Sequence, residues 1–229
     1  MLETLQNIDS SLLLWLNGFH NSFFDLLMYM ISNKFVWIPM YACILFVSAM
    51  KYGLKMKIVY FIALFAIAFA ITDYTCATIL RPIFCRPRPS QPDSPIYQLV
   101  HIVNGDRGGH YGFPSCHSAN SFMLATLLTL FFRKRNLTIF IYFWAAIHSY
   151  SRIYLGVHYP GDILAGAIIG SMIAFGVYYA FMHIAKFKVK DSFRYVNYIP
   201  YIGLITFALL IMSATFTSLY GHSLLAKLL

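Results

Sequence analysis

The sequence predicts an all-α integral membrane protein, with six transmembrane helices preceded by N-terminal interfacial amphipathic helices. Three observations carry this. The chain has 229 residues, 59% hydrophobic and only 11% charged, more apolar surface than a soluble domain of this size can hide. Six apolar stretches, at roughly 35–51, 57–79, 116–132, 137–154, 160–184 and 198–219, are long enough to cross a bilayer, because about 20 residues at ~1.5 Å rise cover a ~30 Å core. The basic residues fall in short clusters between alternate stretches.

Segment 1–34 reads differently from the six-span domain at 35–229. Leu5, Ile8, Leu12, Leu13, Trp15 and Leu16 are interleaved with polar residues, and a second amphipathic piece, "FFDLLMYMI", follows. His20, Asn21 and Asp25 would sit in mid-membrane if this segment crossed, so one or two helices lying in the interface are expected. The start, "MLETLQNIDS", lacks the basic region and small-residue site of a cleaved signal.

Charge predicts the orientation of the spans. Lys51, Lys55 and Lys57, then Arg133, Lys134 and Arg135, then Lys186, Lys188, Lys190 and Arg194 occupy three loops that a six-span chain puts on one side, with Asp191 as their single acid. Lys34, Arg81, Arg86, Arg88, Arg107, Arg152 and Lys227 fall to the other side, and seven acids balance them. The whole net charge of +9 thus belongs to one face, which is cytoplasmic by the positive-inside rule. Short clusters between apolar runs fit orientation, and no nucleic acid is expected as a partner. On the outer side, residues 80–115 form a loop rich in Pro and Gly, read either as a plain turn region or as a lid beside a lipid entrance. Within it "PIYQLVHIV" is a candidate short interfacial helix.

Alternate spans return three polar clusters to that outer face. "RPIFCRPRP" ends the second span, "PSCH" opens the third, and "SRIYLGVHYPGD" joins the fourth to the fifth. Arg81, Arg88 and Arg152 offer planar guanidinium forks suited to phosphate oxygens. Ser115, Cys116 and His117 open a helix, whose free amides and positive dipole end favour an anion, although Ser115 is equally an ordinary N-cap. His158 and Asp162 are four apart across Pro160 and share a helical face, so the acid can hold one imidazole nitrogen and leave the other as a nucleophile. Asp73 lies two helical turns before Arg81 and is expected to hold it or another cavity arginine. His101 and His110 are expected on the loop surface, and His148 as a satisfied packing residue. Cys85 and Cys116 share the outer face, where a bridge between them is a minor alternative to two ordinary apolar thiols.

These residues resemble the motifs of the type 2 phosphatidic acid phosphatase (PAP2) superfamily, which includes lipid phosphate phosphatases and shares its core with vanadium haloperoxidases. The family's Lys, six residues, Arg-Pro is matched from Arg81 to Arg88-Pro89. Its Pro-Ser-Gly-His reads Pro114-Ser115-Cys116-His117, and its Ser-Arg, five residues, His, three residues, Asp is intact as Ser151-Arg152, His158 and Asp162. Arg replaces Lys at 81 and keeps the charge, while Cys116 puts a side chain where the family has Gly.

The resemblance implies a PAP2-like helical core and a metal-independent phosphatase with no cofactor. It implies His158 as nucleophile forming a phosphohistidine, Asp162 orienting it, and His117 as acid and then base. Arg81, Arg88, Arg152, Ser115 and the Cys116 and His117 amides would hold the phosphoryl oxygens, supported by Asp73 and Ser151. The partners it implies are the bilayer and a lipid phosphate substrate. Undecaprenyl diphosphate or a lipid A phosphate is favoured over phosphatidic acid and phosphatidylglycerol phosphate, at the periplasmic face of a bacterial inner membrane. Phosphotransfer to another acceptor, and a non-catalytic lipid-phosphate binder or transporter, are the alternatives. Six spans can enclose the site within one chain, which allows a monomer and leaves the oligomeric state open.

Overall fold

The computed structural model of the chain describes residues 2–54, 56–185 and 193–225. Lys55, Lys186, Lys188, Lys190, Asp191 and Lys227 of the charge pattern lie outside the described residues. Among the described residues the regular elements are helices, with one isolated antiparallel bridge, Pro87 to Tyr111.

Two helices, α1 (Leu2–Asn17) and α2 (Ser22–Ser32), stand where amphipathic helices are expected. Asn21 caps α2, its side chain accepting from Phe24 N at 2.9 Å. In α1, Leu5, Ile8, Leu12 and Trp15 form an exposed apolar stripe at alternating spacings of three and four. The opposite face turns Asp9, Leu13 and Asn17 into the protein.

A short 3-10 turn, Lys34–Trp37, leads into α3 (Ile38–Tyr52), which carries Pro39 in its first turn where the missing N–H costs nothing. Helix α4 (Met56–Asp73) continues through a π-helical stretch, Tyr74–Leu80, into the short α5 (Arg81–Phe84). The expected second span therefore runs a full turn beyond 79 and delivers Arg81 at its end. Three helices follow at the expected places: α6 (Cys116–Phe132), α7 (Arg135–Tyr154) and α8 (Pro160–Ala185). Finally α9 (Tyr198–Leu225) packs on α2 and α3.

Helix α6 is the hub, sheathed by α4, α7 and α8. Its closest approach is to α8, and the reason is Gly166-x-x-x-Gly170, a spacing that removes side chains from one helical face. A Cβ at Gly170 would collide with the Ala119 carbonyl, and one at Gly166 with the Ser115 carbonyl. The two backbones thus touch just below the start of both helices. Around this contact lies the main core, in which Trp37 meets Trp144 edge to face at 5.6 Å.

Among the described residues, four helical stretches are long and apolar enough to cross a membrane: Lys34–Tyr52, Met56–Phe84, Pro160–Ile184 and Arg194–Tyr220. The other two of the six expected spans are special. Helix α6 is apolar but 17 residues long, and α7 gives up apolar positions to His148, Ser149, Ser151 and Arg152. Lys51 Nζ donates to the Phe131 carbonyl at 3.0 Å, so the ends of α3 and α6 meet. Lys51, Arg133, Lys134 and Arg135 accordingly gather at the end of the bundle far from Cys116, about 25 Å away along a 17-residue helix.

The long loop before α6 has an order of its own. Val100 packs on Leu13 and Tyr159, and Val103 on Tyr154, Leu155 and Val157. The "PIYQLVHIV" stretch forms turns rather than a helix, with Tyr97 N to Ser94 O at 3.3 Å and Leu99 N to Ile96 O at 2.9 Å. Asn17 explains why. Its side chain accepts from His101 N at 2.7 Å and donates to His101 O at 3.0 Å, so that backbone pairs with α1 and not with itself.

Candidate active site

The three clusters converge at the start of α6 and α8. Ser115 N donates to the Asp162 carbonyl at 3.0 Å, and Gly112 N to the Arg86 carbonyl at 2.9 Å. Arg88 Nη1 reaches the Val157 carbonyl at 2.9 Å, and Arg81 Nη2 reaches Cys116 Sγ at 3.0 Å.

His158 sits in the turn between α7 and α8 and is 1% exposed. Its Nδ1 lies 3.3 Å from Asp162 Oδ2, which also accepts from Tyr159 N at 3.0 Å. Asp162 Oδ1 takes Arg86 Nη1 at 2.9 Å, so both carboxylate oxygens are occupied. On the other side of the ring, Nε2 lies 2.8 Å from Arg88 Nη1. A guanidinium only donates, so Nε2 is the acceptor and the proton belongs on Nδ1, facing the carboxylate. That assignment leaves the Nε2 lone pair aimed at Arg88, the geometry of an imidazole nucleophile. Burial first, then Arg88, Arg152 and Arg81, hold this imidazole well below the usual histidine range. Burial, with Arg81 and Arg152 beside it, draws Arg88 down to about 10, so it is still a cation at neutral pH. A Cβ on Gly112 would press within 3.1 Å of both Arg88 and Asp162, which is why the loop passes this point without a side chain.

Arg81, Arg88 and Arg152 each keep a buried Nε–H without a partner in the protein. Three like charges with unused donors at one place are a cradle for an anion. Arg152 Nη1 is steadied by Ser32 Oγ, and Arg81 Nη2 also points at the Pro114 carbonyl at 3.5 Å. Ser115 is the N-cap of α6, its Oγ accepting from Ser118 N at 3.4 Å. Cys116 and His117 follow in the first turn, where amides have no intrahelical acceptor. The His117 ring lines a cavity beside the cradle and stacks on His148, centroids 5.9 Å apart.

Other residues take places that differ from expectation. Asp73 accepts from Asn120 Nδ2 at 3.4 Å, while Arg81 turns to Cys116 and Pro114. The π-helical stretch between them breaks the simple two-turn register on which the Asp73–Arg81 pairing was expected. Ser151 Oγ donates to its own helix at His148 O, 2.7 Å, and acts on the backbone. Cys85 and Cys116 are not bridged: Cys85 Sγ bonds to Pro82 O at 2.9 Å, and the Cys116 thiol neighbours Cys76 and Arg81. His101 is no bare surface residue, since Nε2 meets Asp25 Oδ1 at 2.9 Å and the ring stacks on His20. His110 stands at the surface beside Asp93.

Several contributors escape a reading of the motifs. Arg86, grouped in the sequence with its neighbouring arginines, is the partner of Asp162 and of Asp9, at 2.9 and 2.7 Å, and lies over the Tyr159 ring. Asp9 also accepts from Gly161 N at 2.7 Å, so the first helix is tied to the start of α8. Its signal is weak: one acid on the inner face of an otherwise ordinary amphipathic helix. Asn17, Ser32 and Asn120 carry no sequence signal of this kind.

A sequence model described as PAP2 superfamily matches residues 57–186. The lipid A 4'-phosphatase of Bacteroides thetaiotaomicron is 51% identical over 170 residues, 74% of this chain and 75% of that protein. The lipid A 4'-phosphatase of Porphyromonas gingivalis is 33% identical over 183 residues, 80% of this chain and 76% of that protein. Among solved structures, a transmembrane PAP2-type phosphatidylglycerolphosphate phosphatase from Bacillus subtilis has a TM-score of 0.59 at 21% identity, covering 81% of this chain and 90% of that one. Aquifex aeolicus LpxE has a TM-score of 0.54 at 23% identity, covering 74% and 93%. At these identities the two structures speak for the fold.

Proposed function

The chain belongs to the PAP2 superfamily, and from that premise we propose that this membrane lipid phosphatase removes a phosphate from lipid A, the 4'-phosphate first among candidates. The observation that carries the chemistry is the buried line Asp162–His158–Arg88 beside three arginines with unused Nε–H donors. The two lipid A 4'-phosphatase relatives favour the substrate over undecaprenyl diphosphate.

The phosphate enters the cradle, and Arg88 moves its hydrogen bond from His158 Nε2 to a phosphoryl oxygen. His158 Nε2 then attacks phosphorus. The P–O bond to the lipid breaks, His117 gives its proton to the leaving oxygen, and a phosphohistidine remains. Asp162 holds Nδ1–H throughout and supports the growing positive charge on the ring. Arg81, Arg88, Arg152, Ser115 and the amides of Cys116 and His117 bear the charge spread over the three phosphoryl oxygens. His117, now neutral, takes a proton from water. The water oxygen attacks phosphorus, the P–N bond breaks, and inorganic phosphate leaves.

The outward stripe of α1 supports an N-terminal unit, residues 1–34, lying in the interface against the six-span domain. The basic residues at the far end of the bundle support a site facing the periplasm from a bacterial inner membrane.

The test is phosphate release by the purified chain in detergent with EDTA, offered lipid A, undecaprenyl diphosphate, phosphatidic acid and phosphatidylglycerol phosphate. Turnover of lipid A with loss of the 4'-phosphate, absent in His158→Ala, is expected. Binding of lipid A without release, equal in both proteins, would overturn the catalytic reading in favour of a binder.

A further inference from the structure

Beside the phosphate cradle, α3, α4, α6 and α7 line a half-open cavity of about 480 Å³. Cys116 and His117 line it, whereas His158, Arg88 and Arg152 do not. In the proposed reaction His117 protonates the leaving oxygen, so the leaving group must lie on its side, in this cavity. The inference that follows rests on that reading.

The wall is largely aromatic and aliphatic, with Tyr41, Phe65, Phe69 and Leu124, as a lipid site requires. Among its polar residues, three have a side-chain atom without a partner. Asn120 Oδ1, His148 Nε2 and Trp144 Nε1 are each buried without a hydrogen-bond partner in the protein. His148 is 5% exposed and Trp144 1%, so water does not excuse them. Their orientations are held from behind. Ser121 Oγ meets His148 Nδ1 at 2.9 Å, and the ring is clasped between Trp144, at 5.2 Å, and His117. Asn120 Nδ2 donates to Asp73 Oδ1, which fixes the amide so that Oδ1 is left as an acceptor.

The inventory is specific. Trp144 supplies a donor, Asn120 an acceptor, and His148 Nε2 either one according to tautomer. Apart from the proton that His117 delivers, the charged residues of the lining, Lys34 and Asp73, cancel. A prenyl diphosphate would place a second phosphate here, anionic and able only to accept, against the Asp73 carboxylate and the Asn120 oxygen. A headgroup with neutral hydroxyl and amide groups satisfies all three atoms. We propose that Asn120, Trp144 and His148 form a subsite that reads hydroxyl and amide groups beside the leaving oxygen, selecting an acylated amino sugar over a prenyl diphosphate.

The experiment uses the full chain and the variants Asn120→Leu and His148→Phe, the second of which keeps an aromatic ring stacked on His117. Values of kcat/KM are measured for lipid A, undecaprenyl diphosphate and p-nitrophenyl phosphate. Size exclusion and thermal unfolding confirm that the variants fold, and either variant suffices if the other does not. The wild type is expected to favour lipid A. Each variant should lower the ratio of lipid A to undecaprenyl diphosphate about tenfold, the effect of one buried hydrogen bond to the substrate. Equal loss on all three substrates, or no loss, overturns the subsite: the first means that these residues only pack or hold His117. A wild type that prefers undecaprenyl diphosphate overturns it too. If the wild type releases phosphate from no substrate at all, it is the phosphatase reading that fails.

Discussion

Arg88 Nη1 lies 2.8 Å from His158 Nε2, so the proposed nucleophile is held by the side chain that must also receive its target. One guanidinium thereby sets the imidazole tautomer and waits for the phosphate. Arg88→Ala is expected to lower kcat/KM for lipid A by about 10²–10³-fold, the cost of removing one preorganised donor. Arg88→Lys should not restore it, because Nη1 alone serves the Val157 carbonyl and His158, and a lysine has no Nε–H to keep for the phosphate. Steady-state phosphate release checks both.

In the proposed reaction His158 attacks only when neutral, so the acid limb of the pH profile is expected to report its titration. Burial and the neighbouring arginines lower its pKa, so the neutral form persists as pH falls through 6.5 and is lost only below. Arg88→Ala removes one of those charges and should move the limb upward. Measuring kcat/KM from pH 4 to 9 on both proteins with one substrate cancels the substrate's own titration. A limb that does not move in the variant would count against the assignment.

His117→Ala should separate leaving groups. Loss of general acid catalysis costs about 10²–10⁴-fold on a lipid, whose alcohol leaves poorly without a proton. p-Nitrophenolate leaves unaided, so the loss on p-nitrophenyl phosphate should be much smaller. Equal losses would remove the acid role.

Arg86→Ala leaves Asp162 buried without its cation. Breaking such a pair costs about 3 kcal/mol, and the variant should unfold at lower temperature in detergent as well as lose activity. Asp9→Asn sits at the more exposed end of the same chain of charges and should cost about 1 kcal/mol or less.

Gly170→Ala drives a Cβ into the Ala119 backbone and is expected to cost about 1–3 kcal/mol. Gly176, one helical face away, has open space at its Cβ position. Gly176→Ala should stabilise α8 by about 0.5–1 kcal/mol. Thermal midpoints of the two variants should therefore move in opposite directions.

The helices were legible because apolar length is a strong signal and because Pro160 and Ser115 mark two of their starts. The cradle was legible because Arg81, Arg88, Arg152, His117, His158 and Asp162 fall at fixed spacings near helix ends. What stayed hidden is long-range. No local pattern tells that Asp9 will find Arg86, that Ser32 will find Arg152, or that Asn17 will hold the backbone at His101. The Asp73–Arg81 pairing failed for a local reason, since an ideal helical register does not foresee a π-helical stretch. His148 looked like packing because nothing in its neighbours reveals a cavity on one side and a stacked His117 on the other.

The tie between α1 and the start of α8 also sets a timetable. Asp9 is separated from Arg86 by 77 residues and from Gly161 by 152. At synthesis rates of about 5–20 residues per second, the first helix waits roughly 10–30 s before its last partner exists. During that interval Arg86 and His101 emerge first and give Asp9 and Asn17 their earlier partners, while the Gly161 amide is still to come. The helix carrying Asp162 is the last of these pieces to emerge, and the tie between α1 and α8 closes only then.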